Sequence, residues 1–271
     1  MNGSQLVLGP VLVSVCVVMV LASAAVYRVA AIGSVWTVPW ASVRGVVQLA
    51  AVAGVLVAAM ARLWSSALVL AGMFVVAGVT AAKRIGASRG AAWAVGALAV
   101  GWVSVLPLLL VSGAVPLTGV AVVPIAAIVL GNAMTSISVA ARLALDAIAA
   151  RAGEVEAALS LGMSQRDSRM GVIDQVAATS LLPTVDSTRT VGLVTLPGAF
   201  VGVLLSTGSA AQAAAVQILI LIALLLSQTC AVAVTIELIA RGIIGRAPAR
   251  RANRDRCSGA GPKHGRQCPR R

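Results

Sequence analysis

The sequence predicts an all-α, polytopic bundle of about seven transmembrane helices, on three observations: its composition, the length of its apolar runs and the placement of its cations. Of 271 residues, 59% are hydrophobic and only 11% charged, and the mean hydropathy is +0.99. A soluble domain averages ~25% charged and ~45–50% apolar residues. A soluble core of this size would leave large apolar patches in water, whereas lipid accepts them. Aromatic residues are scarce at 3%, while Ala, Val, Gly and Leu dominate. Small side chains let membrane helices approach closely. A β-barrel would alternate polar and apolar residues in ~10-residue strands; here the apolar runs are uninterrupted.

A bilayer core needs ~20 apolar residues per helix. Seven stretches qualify: 6–27, 42–61, 65–82, 91–112, 117–141, 180–205 and 213–240. No basic region precedes the first, so it is expected to be a retained helix and not a cleaved signal. With the N-terminus outside, 19 of the 21 Lys and Arg residues fall on the inner side, Arg62 falls outside and Arg189 falls within a span. Positive loops stay cytoplasmic, so an N-out, C-in orientation is expected. Residues 1–241 then form the membrane domain and residues 242–271 a basic, disordered cytoplasmic tail, too poor in apolar residues to fold.

The net charge of +13 invites a nucleic-acid reading, which the distribution excludes: the cations sit in loops and tail, not among stacking aromatics. Nor do the four cysteines form a secreted disulfide framework. Cys16 and Cys230 lie in apolar spans, Cys257 and Cys268 in the tail. The spacing of Cys257, His264 and Cys268 fits no structural zinc pattern, and the tail is read as frayed. The chain holds no phosphate-binding G-x-x-x-x-G-K-[ST] loop and no nucleophile or acid–base constellation, so catalysis by this chain alone is not expected.

The loop at residues 142–179 differs from the others. It holds five of the eight acidic residues: Asp146, Glu154, Glu156, Asp167 and Asp174. Val155, Ala158, Leu159 and Gly162 recur at helical spacing and predict a short helix with one mildly apolar face. Ser164-x-x-Asp167 reads as a cap starting a second helix, expected to run toward Leu182 until Pro183 interrupts it. Both a docking element and an ordinary connection fit this pattern.

Polar groups inside spans mark pathways or packing contacts. Asp186 and Arg189, three apart, share a helical face and are expected to neutralise each other. Leu196-Pro197-Gly198 predicts a kink or break in the sixth span. Gln48, Asn132, Thr135, Ser136, Gln217 and Gln228 are further polar groups, each by itself more often interhelical glue than a ligand. Glu237 and Arg241 form an i,i+4 pair at the end of the last span.

Several of these stretches, in order, resemble the iron export permease family typified by FetB, which includes the plant aluminium-sensitivity permeases. They are Arg44-Gly-Val-Val-Gln48-Leu49, Gly131-Asn132-Ala133-Met134-Thr135, Glu156-Ala157-Ala158-Leu-Ser-Leu-Gly162, Leu182-Pro183-Thr184 and Val191-Gly192-Leu-Val-Thr-Leu196-Pro197-Gly198-Ala-Phe-Val-Gly202, with Ala214 and Gln217. The likeness runs from about residue 42 to 241. It implies a homodimeric permease of an ABC transporter in a bacterial inner membrane, exporting a metal ion such as iron, with no cofactor on this chain. ATP and magnesium would bind a separate cytoplasmic ATPase subunit. The stretch Glu156, Ala157, Ala158 to Gly162 would seat in that subunit. Gln48, Asn132, Met134, Thr135, Asp186, Arg189 and Gln217 become candidate pathway groups, and Pro183, Pro197 and Gly198 candidate helix breaks. Where this chain has Asp186 and Arg189, Asn and apolar residues are common in that family. Another solute, such as a nucleotide sugar, is the alternative within the class. Outside the class, the alternative is an ion-coupled transporter using Asp186 and Arg189.

Overall fold

The computed structural model describes residues 10–30, 34–59, 63–87, 89–113 and 118–246. These residues form ten α-helices and no strand: α1 (Pro10–Val29), α2 (Thr37–Ala59), α3 (Leu63–Ile85), α4 (Trp93–Val103), α5 (Leu106–Val111), α6 (Gly119–Ala150), α7 (Ala152–Ser160), α8 (Gln165–Thr190), α9 (Gly198–Thr207) and α10 (Ala210–Ala240). The chain is therefore all-α, a polytopic helical bundle. Arg62, Cys257, His264 and Cys268 lie outside the described residues.

Two compact units are present, Met1–Ser65 and Ser66–Arg271. In the first, α1 packs on α2, and nearly all described side chains remain exposed, Ala24 being an exception. Valines, alanines and leucines dominate both helices, a composition that suits lipid.

The second unit is built around α10, 31 residues long, which packs against α4, α6, α8 and α9. Its buried positions Ala213, Gln217, Ile220, Ala223, Ser227, Ala231, Thr235 and Ile239 recur three or four apart, the spacing of one helical face. Small residues on that face let α4 come close. A Cβ on Gly101 would lie 2.7 Å from both the Ser227 carbonyl oxygen and the Ala231 side chain. The core joins Leu98 of α4, Leu130 and Ile137 of α6, Ile173 of α8 and Ile236 and Ile239 of α10. Phe74 of α3 meets Trp102 of α4 with ring centroids 5.6 Å apart.

Among the described residues, five helical segments are long and apolar enough to cross a bilayer: Val11–Val29, Trp64–Ile85, Trp93–Val111, Ala121–Ala150 and Ala210–Ala240. They match five of the seven predicted stretches. Trp93–Val111 bends where α4 hands over to α5, at Val105, ahead of Pro107. The second predicted stretch is α2, 23 residues long.

The sixth stretch, residues 180–205, is not one helix. α8 stops at Thr190, residues 191–197 form a tight turn with Gly192 at φ +82°, and α9 begins at Gly198. The turn closes on itself through the Gly192 N–H, which donates to the Thr195 carbonyl at 3.0 Å. Pro197 caps the start of α9, having no N–H to continue a helix.

Pro183 does not end its helix: it lies inside α8, which continues for seven more residues to Thr190. A proline costs a helix one hydrogen bond and some crowding, and the neighbouring contacts to α10 described below hold the following turn in place. Beyond α10 the chain stays packed through its first residues. Ile244 is buried, Gly245 and Arg89 exchange two backbone hydrogen bonds, and Arg246 pairs with Asp146. The packed domain thus reaches Arg246.

Candidate functional site

Two regions carry chemistry. The first is the hairpin formed by α7 and the start of α8. α7 is short and Ala-rich, with Glu154 in its first turn, where a carboxylate favours the helix dipole. Val155 is its buried anchor. Arg151 ties the hairpin together, its guanidinium donating to the Val172 carbonyl at 3.1 Å. The helix ends in a Schellman turn: the Gly162 N–H donates to Leu159 O at 3.0 Å and the Met163 N–H to Ala158 O at 3.1 Å. That closure places Gly162 at φ +86°, a left-handed conformation that glycine adopts without strain.

The result is an exposed tip. Glu156, Ala157 and Gly162 are exposed and Ala158 half-buried. Leu161 is 85% exposed, and Leu159 and Met163 flank it, also exposed. The hairpin lies outside the segments long and apolar enough to cross a membrane. The expected cap then starts α8: Ser164 Oγ accepts from the Asp167 N–H at 3.1 Å and donates to the Asp167 carboxylate at 2.7 Å.

The hairpin is clamped to the end of α10. Arg166 donates from Nε and Nη2 to the two carboxylate oxygens of Glu237, both at 2.8 Å. Arg241 donates to the same carboxylate at 2.7 Å. This is bidentate guanidinium–carboxylate geometry, the strong form of a charged hydrogen bond. It pushes the Arg166 guanidinium further above its ordinary range, the hydrogen bond to Glu237 being the largest cause. The sequence shows the Glu237–Arg241 pair but not Arg166, which is 71 residues away.

The second region lies inside the bundle. Gln228, almost fully buried, accepts at Oε1 from Ser136 of α6 and from Thr184 of α8, each at 2.5 Å. One neutral amide therefore joins three helices. Gln217 of α10 is also buried, and its Oε1 has no hydrogen-bond partner among the described residues.

The remaining sequence-predicted residues divide. Met134 packs against the core. Asn132 and Thr135 are exposed on α6 and bond carbonyls of their own helix, Ile128 O at 2.8 Å and Gly131 O at 3.0 Å. Asp186 and Arg189 lie 3.7 Å apart with side chains 62% and 73% exposed. Gln48 is exposed on α2, in the first unit. The described residues hold no cluster of three His, Cys, Asp or Glu side chains suited to a metal ion.

The chain matches the Uncharacterised protein family (UPF0014) over residues 10–244. It is 30% identical over 185 residues to UPF0014 membrane protein STAR2 of rice, covering 67% of this chain and 65% of the relative. It is 35% identical over 114 residues to Protein ALUMINUM SENSITIVE 3 of Arabidopsis thaliana, 42% of each chain. It is 31% identical over 129 residues to the Probable iron export permease protein FetB of Escherichia coli, 48% of this chain and 50% of that one. The matched stretches thus span from about two fifths to just under two thirds of these relatives. No solved structure matches the chain significantly.

Proposed function

Because the chain belongs to the uncharacterised protein family UPF0014, we propose that it is the membrane-spanning permease subunit of an ABC transporter, powered by an ATPase on a separate chain. The observation that carries this reading is the α7 tip: an exposed Leu161 beside a left-handed Gly162, offered on a hairpin outside the apolar spans. A soluble subunit with an apolar groove fits such a tip. Glu156, exposed on the same helix, offers a carboxylate to basic groups at the rim of that groove.

In this reading the protein works by alternating access. ATP binding closes a pair of ATPase subunits, which push the α7 hairpins of two permease copies and rock the bundles between inward- and outward-facing states. The clamp of Arg166 on Glu237 passes that push to α10. The chain is oriented N-out and C-in in a bacterial cytoplasmic membrane, with the hairpin on the ATPase side. ATP and magnesium belong to the partner. The proposed cargo is a metal ion, iron in the first instance, supported by the name of the Escherichia coli relative.

The test is purification of the tagged, full-length chain from its native membrane. Mass spectrometry of what stays bound, and ATP hydrolysis by the preparation, should reveal a P-loop ATPase. Cellular iron, measured with and without the chain, should rise on its loss. A chain that purifies free of any ATPase and hydrolyses nothing counts against the reading.

A further inference from the structure

We propose that two copies of this chain pair across a two-fold axis normal to the membrane, along a polar stripe where α6 and α8 of each lie side by side. This rests on the permease reading and adds to it where the subunits meet and which side chains face the path.

The stripe emerges from spacing and exposure together. On α6 the outward positions Ile128, Asn132, Thr135, Val139 and Arg142 alternate four and three apart, and all are exposed or half-buried. Alternation of four and three is the seven-residue repeat of a helix seam. The opposite face of α6 is already used, with Leu130, Ala133, Ile137, Ala140 and Ala144 in the core. On the last turns of α8 the exposed residues are Leu182, Pro183, Asp186, Ser187 and Arg189, of which Leu182, Asp186 and Arg189 share one face.

The two sets lie at one depth. Ser136 of α6 and Thr184 of α8 meet at Gln228, while Arg151, just past α6, reaches Val172 of α8. The helices therefore run antiparallel. Asn132 lies one turn from Ser136 on the same side as Asp186 and Arg189 lie from Thr184.

Other outward faces of this unit are apolar: Val75, Val76 and Val79 on α3, and Ile218, Ile222 and Leu226 on α10. Lipid suits those faces and does not suit an amide, a carboxylate and a guanidinium. A second copy does. An isologous contact sets the same patch against itself, and this patch carries both signs. Asp186 of each chain can then meet Arg189 of the other, supplementing a contact that is only 3.7 Å within one chain. In the pair, Asn132, Thr135, Asp186 and Arg189 of both copies line the axis, a path suited to a hydrated, charged solute.

The experiment uses the full chain with Cys16, Cys230, Cys257 and Cys268 replaced by serine. Single cysteines are placed on the stripe (Asn132→Cys, Thr135→Cys, Leu182→Cys) and on the apolar faces (Val76→Cys, Ile222→Cys). Oxidation in membranes should give covalent dimers on the stripe and none at 76 or 222. Three positions keep the test standing if one variant fails to elute as a single species. Dimers at 76 or 222 without any on the stripe would overturn the proposal. So would a disulfide within one chain between Gln48→Cys and Asn132→Cys, which would make α2 the cover. ATPase retention is measured on the same membranes. Retention without stripe dimers removes the seam alone, and stripe dimers without retention remove the permease reading alone.

Discussion

α8 is tied to α10 twice, and the two ties are built from different chemistry. At the hairpin end the tie is ionic: one carboxylate, Glu237, takes three charged hydrogen bonds from Arg166 and Arg241. Nine residues back along α10, roughly 14 Å at 1.5 Å per residue, the tie is neutral. There Gln228 holds two hydroxyls and no charge. The ionic tie sits where side chains remain partly in solvent, so its charges keep much of their hydration. The neutral tie is buried, where an ion would be costly to desolvate. Each depth uses the polar chemistry that it tolerates, and the two should differ in how much they matter to folding.

The largest stability effect is expected at the neutral tie. Gln228→Leu keeps a similar volume and leaves the Ser136 and Thr184 hydroxyls without their acceptor. Orphaning buried polar groups costs about 1–3 kcal/mol each, reduced where a hydroxyl can turn to its own helix carbonyl. Thermal unfolding in detergent should show a clearly lowered midpoint. An unchanged midpoint would mean that the junction adds nothing to stability.

Glu237→Gln should destabilise less. It removes the carboxylate that both arginines share, but exposed ion pairs are screened and individually weak. The wild-type advantage should shrink in high salt, whereas the Gln228→Leu deficit should not. Equal salt dependence in both variants would erase the distinction between the two ties. Asp186 and Arg189 provide the next comparison. Each single change to Ala should lower the amount of folded protein, and the double change should recover part of the loss, since within the proposed seam, out of water, an unpaired charge is worse than none. Additive losses would show that the two groups do not interact.

Much of this arrangement was legible in the sequence. Length and hydropathy located five of the long helices, because a run of ~20 apolar residues has few alternatives to spanning a bilayer. Ser164 and Asp167 marked the start of α8, since capping is local chemistry. The break expected at Leu196-Pro197-Gly198 is present, but hydropathy averages over the apolar turn at residues 191–197 and so joins α8 and α9 into one stretch. Pro183 misled in the opposite sense. A local rule broke the helix there, but a bond from the next residue, Thr184, to Gln228, 44 residues away, secures it. The Arg166–Glu237 clamp left no trace in the sequence, because only the fold brings those residues together. Glu156, Ala157, Ala158 and Gly162 were visible as a stretch, while Leu161 acquires meaning only through its exposure.

Gly162→Val separates geometry from surface. A β-branched residue at φ +86° strains the turn even though nothing lies within 4 Å of an added Cβ. Its expected effect on global stability is small, because the turn lies at an exposed tip, and its effect on partner retention is large. Gly162→Asn tolerates the left-handed conformation better and should retain more of the partner. Equal retention by the two variants would show that the turn conformation does not matter.

The central claim is that the α7 tip seats in an ATPase, and Leu161→Asp tests it most directly. Leu161 is 85% exposed, so the change removes no internal packing and should leave membrane level and unfolding midpoint as in the wild type. The account predicts that ATPase retention on affinity purification is nevertheless lost, and ATP hydrolysis with it. A Leu161→Asp protein that keeps its ATPase and its full hydrolysis rate would contradict the claim.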